Sequence, residues 1–317
     1  PDPSAGTIYV WYDALTNYLT GAGFPADPDS FARWWPADLH VIGKDISRFH
    51  TIQWPAMLMS AGLELPRLVW VHGFMHVQGE KMSKSRGNFF DPNDMVAALG
   101  SDGARYVTLQ EVPFDRDSDV SWDSFIRRYN ADLANDFGNL VNRSLTMAGR
   151  YLGGQRPPVA EEPPGGRLPL PRSPLAETWT ETLYRYRERL DALYLHEAVG
   201  VLWEIVAAAN RFVDAEQPWA LAKRAQGEEP GAEGRLRAIL GDLIEACRVI
   251  ALAAAPFMPG TAPRVLAQLG YDYPYGSDGN GGPPLVEELR WGARAGQLGA
   301  LGNPEPLFPR LDVGADD

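Results

Sequence analysis

Gly79-Glu80-Lys81-Met82-Ser83-Lys84-Ser85-Arg86-Gly87-Asn88 is the stretch around which the rest of this chain is arranged. Its cations and hydroxyls stand between two glycines, a composition suited to holding a polyphosphate. Lys81 and Lys84 are compact charges on flexible stems. Gly79 and Gly87 free the backbone to swing and to approach phosphates closely, as a loop that closes for one step and opens for the next requires. Taken alone, a run this basic is better read as a solvated turn after a hairpin. Its flanks decide between the two.

Working outward, Val71-His72-Gly73-Phe74 stands just before the run. Upstream come Val41-Ile42-Gly43-Lys44-Asp45-Ile46, Phe49-His50 and Trp54-Pro55-Ala56-Met57-Leu58, and before them Val10-Trp11-Tyr12-Asp13-Ala14 with Tyr18. Residues 7–11 are β-branched and aromatic and predict a buried strand. Asp13 is placed to cap a helix over 14–20 that ends near Gly21 and Gly23. Residues 39–43 predict a second strand, 47–61 a helix broken or kinked at Pro55, and 68–71 a third strand that continues past Gly73 as a hairpin. Strand, helix, strand, helix, strand is the grammar of a parallel, doubly wound α/β sheet. Ligands bind such sheets at the carboxyl ends of the strands, where Trp11, Gly43-Lys44-Asp45 and His72-Gly73 all fall. Trp34, Trp35 and Trp70 read as aromatic core.

The basic run resembles the Lys-Met-Ser-Lys-Ser signature of class I aminoacyl-tRNA synthetases, and the flanking blocks, in this order and at this spacing, resemble the methionyl-tRNA synthetases in particular. The resemblance implies the second half of a Rossmann-like catalytic domain. It also implies that Lys81 and Lys84 stabilise the pyrophosphate leaving ATP, and that Gly43, Lys44, Asp45, His72 and Met75 bind ATP with its Mg2+, Met75 through its backbone, while His72 reads equally as a satisfied strand-end histidine. Asp45 is suited to pair with the substrate α-ammonium or ribose hydroxyls, and equally to cap the helix after it. Trp11, Ala14, Leu15, Tyr18, Ile46 and His50 match positions lining the methionine pocket. An aromatic-walled slot with one weak polar contact suits an unbranched thioether. Isoleucine, leucine and valine offer no charged handle, so selectivity would come from shape, and one methylene discriminates by only about 1–3 kcal/mol.

The second half of the sequence has a different texture. Residues 91–99 and 102–110 predict two short helices divided by Gly100, which by resemblance form the stem-contact fold. Residues 111–119 form a Pro- and Asp-rich connection. From Trp122 to about Tyr151 apolar residues recur at helical intervals in one long amphipathic helix. Residues 153–174 are proline-rich and aperiodic, an extended linker. Helices come next at 175–194, 197–215, 219–225, 235–255 and 263–269, so the second domain is all-α. Residues 271–284 form a Gly/Pro/Tyr loop, and the tail holds only a weak helix near 285–291. The expected division is therefore 1–120, catalytic half with the loop and stem-contact fold; 121–270, helical anticodon-binding domain; and 271–317, tail. Asn139 and Arg143 are one helical turn apart, and Trp219 in Gln217-Pro218-Trp219 matches the anticodon tryptophan of the family. Amide, guanidinium and indole are the groups that read unpaired bases by edge and by stacking.

Composition limits the partners. At 317 residues two domains are expected, and a net charge of −12 argues against non-specific nucleic-acid binding, leaving tRNA(Met) recognition to local patches such as Lys44, Arg48, Lys81, Lys84 and Arg86. With 45% hydrophobic and 22% charged residues the chain reads as soluble. The single cysteine, Cys247, excludes an internal disulfide, reads as a small buried hydrophobe in a reducing cytoplasm, and leaves no ligand set for the zinc knuckle that methionyl enzymes often carry. No signal peptide and no membrane span are visible; residues 249–258 are too short and are broken by Pro256.

One family signature is missing. None of His40, His50, His72, His76 or His196 stands in a His-x-Gly-His run, the class I signature of the first strand-to-helix turn. The chain therefore reads as the carboxyl-terminal part of a synthetase, inactive in adenylation unless complemented by an N-terminal catalytic segment, with an unpaired sheet edge. Two alternatives stay open: a tRNA-binding module that performs no adenylation, and a class I ligase for a branched aliphatic amino acid. The block at residues 10–14 speaks against the second.

Overall fold

The structure, a computed structural model, describes residues 6, 10–83, 88–157, 159, 173–276, 282–297 and 299–312. The chain divides into two compact units, Pro1–Met82 with Pro113–Asp119, and Ser83–Val112 with Val120–Asp317.

The first unit opens with three short helices, α1 (Val10–Ala14), α2 (Asn17–Ala22) and α3 (Pro28–Trp34). The strand expected over 7–11 is not what residues 10 and 11 form. Val10 is 70% exposed at the head of α1, so its β-branched side chain has no sheet to pack against. Asp13 lies inside α1 rather than at a cap, and its backbone carbonyl accepts the Thr16 hydroxyl. The expected helix over 14–20 is split between α1 and α2, and α2 stops at Gly23, where φ of +113° suits only glycine and the amide closes on Leu19 and Thr20. Asp27 caps α3 through the Ser30 amide.

Strand β1 (His40–Gly43) pairs in parallel with β2 (Val69–His72), with Gly43 level with His72. Between them the chain passes through a 3-10 turn at Lys44–Ile46, a π turn at Phe49–Gln53 and α4 (Trp54–Ser60). Pro55 sits in the first turn of α4, where its missing N–H is not needed, so the expected break is a change of helix type. Leu15, Leu19, Trp35, Trp54 and Leu58 form the core here. Trp35 packs as expected, Trp70 meets Phe114 edge-on at 4.6 Å, but Trp34 is 61% exposed, with the Arg33 guanidinium over its ring.

The hairpin after Gly73 is β3 (Met75–Val77) with β4 (Glu80–Lys81). A third strand, β5 (Ser118–Asp119), runs parallel to β3 from the connection that the sequence reads as loop. Gly73 is required at this join, because a Cβ there would overlap the Arg116 carbonyl oxygen.

The second unit is helical. α5 (Pro92–Glu111) is capped by Asp91 and interrupted at Gly100, whose φ of 71° and ψ of 161° divide it as expected. α6 (Trp122–Arg128) begins with a reciprocal Ser121–Ser124 capping box and runs through a π-helical stretch, Tyr129–Gly138, into α7 (Asn139–Leu152). Then come α8 (Pro174–Asp191), α9 (Leu195–Glu216), α10 (Pro218–Gln226), α11 (Ala232–Ala254), α12 (Thr261–Gln268) and the single turn α13 (Leu285–Glu288). α11 is buried along almost its whole length from Ile239 to Ala254 and forms the axis of the core.

The segment beyond α12 is more structured than a weak helix in a tail. Arg248, fully buried, forks onto Glu245 at 2.6 and 2.8 Å and donates to the carbonyls of Glu288 and Arg290. Arg156 donates to the carbonyls of Leu269, Gly270 and Gln297 and lies over the Tyr271 ring. Asn130 holds Leu311 by two opposed hydrogen bonds of 2.7 and 2.9 Å. Buried backbone acceptors and guanidinium groups satisfy one another, which fixes this segment without much regular structure.

Candidate functional site

The end of β1 is the natural starting point. Gly43 leaves the strand at φ −73°, ψ 152°, and the chain turns at once into the 3-10 turn that carries Lys44, Asp45 and Ile46. Both lysines named by the sequence on this side converge on one aromatic ring. Lys81 Nζ lies 3.5 Å from the centroid of Phe74 and Lys44 Nζ 5.0 Å from it. Lys81 also reaches Asp45 Oδ2 at 3.4 Å, and Lys44 reaches Asp117 Oδ2 at 2.5 Å. The hairpin thus brings its first lysine onto the Gly-Lys-Asp turn, 36 positions back in the sequence. The Lys44 hydrogen bond, reinforced by the Phe74 amide at 2.8 Å, holds the Asp117 carboxyl below the usual carboxylate range.

His72 donates from Nδ1 to the Gly73 carbonyl at 2.8 Å, which leaves Nε2 as the acceptor in the neutral ring. Met75 opens β3, its carbonyl receiving the Met82 amide at 3.0 Å. Gly79 N–H donates to Asp119 Oδ2 at 3.0 Å, so β5 braces the hairpin turn. Lys84 lies outside the described residues.

Four of the six residues assigned to a methionine pocket meet around a polar aromatic cluster. Tyr18 and His50 are joined by a 2.8 Å hydrogen bond, and His50 Nδ1 contacts the Ile46 carbonyl at 3.0 Å. A carbonyl only accepts, so in neutral His50 the proton sits on Nδ1 and Nε2 receives the Tyr18 hydroxyl. Leu15 packs into the core beneath, and Ala14 is half-buried at the end of α1. The side chain of Trp11 lies outside the described residues; its backbone belongs to α1. His40, which no motif singled out, lies with its ring centroid 4.5 Å from that of Tyr18, tilted by 50°, and accepts from Trp54 Nε1 at 3.3 Å. Burial, then the neighbouring His50, push its pKa down, so it is neutral at pH 7. A cleft of about 390 Å³ touches Tyr18 and His40 from the side of Trp34, Trp35 and Leu39.

In the helical unit the three residues assigned to RNA contact stand on adjoining helices. Asn139 is exposed on α7, and Arg143, one turn on, donates to Asp214 of α9 at 3.1 Å. Gln217 adopts a left-handed conformation, φ 44° and ψ 62°, between α9 and α10, and Pro218 starts the next helix at once. Trp219 is thereby left 39% exposed at the head of α10, unusual for an indole that packing alone would hide.

Asp117, Asp119 and Asp214 were not reached from sequence, and Phe74 was reached only as part of a motif block, with no role given to it. The acid-rich run 115–119 was the available signal for two of them, but an Asp-rich connection carries no partner information.

A family model described as tRNA synthetases class I (M) matches residues 1–145, and one described as the anticodon binding domain of methionyl tRNA ligase matches residues 163–280. The chain belongs to the methionyl-tRNA synthetase family. Among its relatives, the methionine–tRNA ligase of Mycobacterium leprae is 44% identical over 273 residues, 86% of this chain and 49% of that protein. The methionine–tRNA ligase of Thermosynechococcus vestitus is 41% identical over 319 residues, 98% of this chain and 57% of that protein. A solved structure of the Mycobacterium tuberculosis methionyl-tRNA synthetase in complex with methionyl-adenylate superposes with a TM-score of 0.78 at 42% identity, covering 95% of this chain and 56% of that one. The chain spans about half the length of the curated synthetases it matches. It comprises part of a class I synthetase catalytic region and a helical anticodon-type region. No helix among the described residues is long and apolar enough to cross a membrane.

Proposed function

We propose that this chain supplies the pyrophosphate-side half of the adenylation site and the anticodon-reading domain of a methionine–tRNA ligase, working with a complementing catalytic segment that carries His-x-Gly-His. The catalytic region is the second half of a Rossmann-like sheet with its stem-contact fold, and the helical domain begins near residue 121. The observation that carries the reading is the approach of Lys81 to Asp45 at the carboxyl end of β1, which puts the Lys-Met-Ser-Lys-Ser hairpin over the Gly-Lys-Asp turn.

Methionine's carboxylate oxygen attacks the α-phosphorus of ATP, the bond to the bridging oxygen breaks, and pyrophosphate leaves. Lys81 and Lys84 stabilise the charge it carries away. Gly43 lets the nucleotide approach the backbone; Lys44, Asp45, His72 and the Met75 peptide orient it. Trp11, Ala14, Leu15, Tyr18, Ile46 and His50 enclose the thioether side chain. A terminal hydroxyl of tRNA(Met) then attacks the methionyl carbonyl of the adenylate, losing its proton as AMP leaves, while Asn139, Arg143 and Trp219 hold the anticodon. Mg2+ would be carried on the triphosphate, where it would neutralise phosphate charge, and no step is assigned to an ion held by this chain.

In the full-length ligase, Lys84→Ala and Lys81→Ala are expected to lower methionine-dependent pyrophosphate exchange by about a hundredfold or more, the scale for removing one preorganised charge stabiliser. Exchange equal to the parent for Lys84→Ala would remove the assignment. A narrower reading has support of its own in the missing His-x-Gly-His: the 317-residue chain alone binds tRNA(Met) but exchanges no pyrophosphate. Filter binding of tRNA(Met) by this chain, undiminished in Trp219→Ala, would contradict the anticodon role.

A further inference from the structure

Asp117 is joined to both halves of the phosphate site, yet it belongs to neither motif. Its Oδ2 takes the Lys44 ammonium at 2.5 Å, its Oδ1 takes the Phe74 backbone N–H at 2.8 Å, and His76 Nε2 lies 3.7 Å from Oδ2. One carboxylate therefore ties the lysine after β1 to the peptide that opens the hairpin. The segment that bears it is itself anchored. Gly73 N–H donates to the Phe114 carbonyl at 2.9 Å, Ser118 N–H to the Phe74 carbonyl at 3.0 Å, and β5 lies beside β3. Gly73 lets that segment pass close overhead.

An ammonium has three protons, so Asp117, its one carboxylate partner among the described residues, leaves Lys44 two donors for a triphosphate oxygen. A lysine held at one end also has less freedom to lose when the nucleotide arrives. The other carboxylate oxygen, Oδ1, holds the Phe74 peptide, and the Phe74 ring carries Lys81 at 3.5 Å.

We propose that Asp117 is a positioning residue for ATP, holding Lys44 towards the phosphates and setting the entry of the hairpin that carries Lys81. The proposal rests on the adenylation reading above and goes further, naming a residue outside every motif in the sequence.

Two substitutions in the full-length ligase separate charge from fold. Asp117→Asn keeps an oxygen for the Phe74 amide and loses the charge that holds Lys44; Asp117→Ala loses both. In pyrophosphate exchange, Asp117→Asn is expected to raise the KM for ATP about tenfold, as for a lost charge-assisted hydrogen bond, with the KM for methionine and the melting temperature unchanged. Asp117→Ala should add a fall in kcat. Because Asp117 acts on ATP affinity through Lys44, Asp117→Asn made on a Lys44→Ala background should raise the KM for ATP no further. A KM for ATP in Asp117→Asn equal to the parent, or a full further loss in the double variant, overturns the proposal. Lys84→Ala run alongside tells the two failures apart. If exchange survives in Lys84→Ala, the adenylation reading falls and this inference with it; if exchange is lost there while Asp117→Asn behaves as the parent, only the role of Asp117 falls.

Discussion

Asp242, half-buried on α11, has its pKa pushed up to about 6, chiefly by burial and slightly by the charge of Glu245, against a hydrogen bond from Ser173. The unfolded chain gives up this proton at a lower pH than the folded one. Stability therefore falls as pH rises from about 4 to about 6, and the whole penalty is present at pH 7. The rise from 3.8 to about 6 corresponds to at most roughly 3 kcal/mol. Asp242→Asn should accordingly raise the melting temperature at pH 7 and leave it nearly unchanged at pH 4; equal gains at both would refute the cause. Arg248 is the opposite case. Truncating it to alanine leaves Glu245 a buried charge without its cation, with the Gly292 N–H still donating to it, at an expected cost of about 3–5 kcal/mol in chemical denaturation. At this scale the sequence was most legible where each partner sits in a motif. Lys81 and Asp45 announce themselves through their neighbours, whereas Asp117 finds Lys44 across 73 positions in a run that looks like ordinary solvated acid.

Among the elements, legibility tracked length. The long amphipathic pattern from Trp122 onward is a continuous helix, although its middle turns are π-helical, which apolar spacing does not distinguish. Residues 10 and 11 show the converse. β-branched and aromatic side chains suit a strand only when a sheet receives them, and Val10 instead faces solvent on a helix. The two-residue strands β4 and β5 have no pattern long enough to read, yet β5 is what sets Asp117 in place. The Gly100 interruption was legible because a helix terminus needs a residue at ease with positive φ. Gly100→Ala forces that backbone on a residue with a Cβ and should cost about 1–3 kcal/mol, a loss that thermal melting would detect. If stability is unchanged, the break relaxes and is not a fixed joint.

For the molecule as a whole, the presence of an α/β part and a helical part was legible because hydrophobic periodicity changes character along the chain; the first family model runs to residue 145, past that change, and the second covers residues 163–280. What escaped was the segment after α12. Its hold comes from side chains gripping backbone carbonyls, and such contacts leave no periodic trace. Deleting residues 299–317 should lower the melting temperature of the helical unit by several degrees, since Leu307 leaves its buried site and Gln268 and Asn130 lose their partners. A truncated chain that melts with the parent would show the contacts to be ornamental.

The Asn130 grip on Leu311 spans 181 positions. During synthesis on a ribosome, the π-helical stretch leaves the exit tunnel long before the residue that completes it. Nascent chains arrested short of Leu311 should therefore be cut by a protease near Asn130, and that sensitivity should vanish once Leu311 has cleared the tunnel.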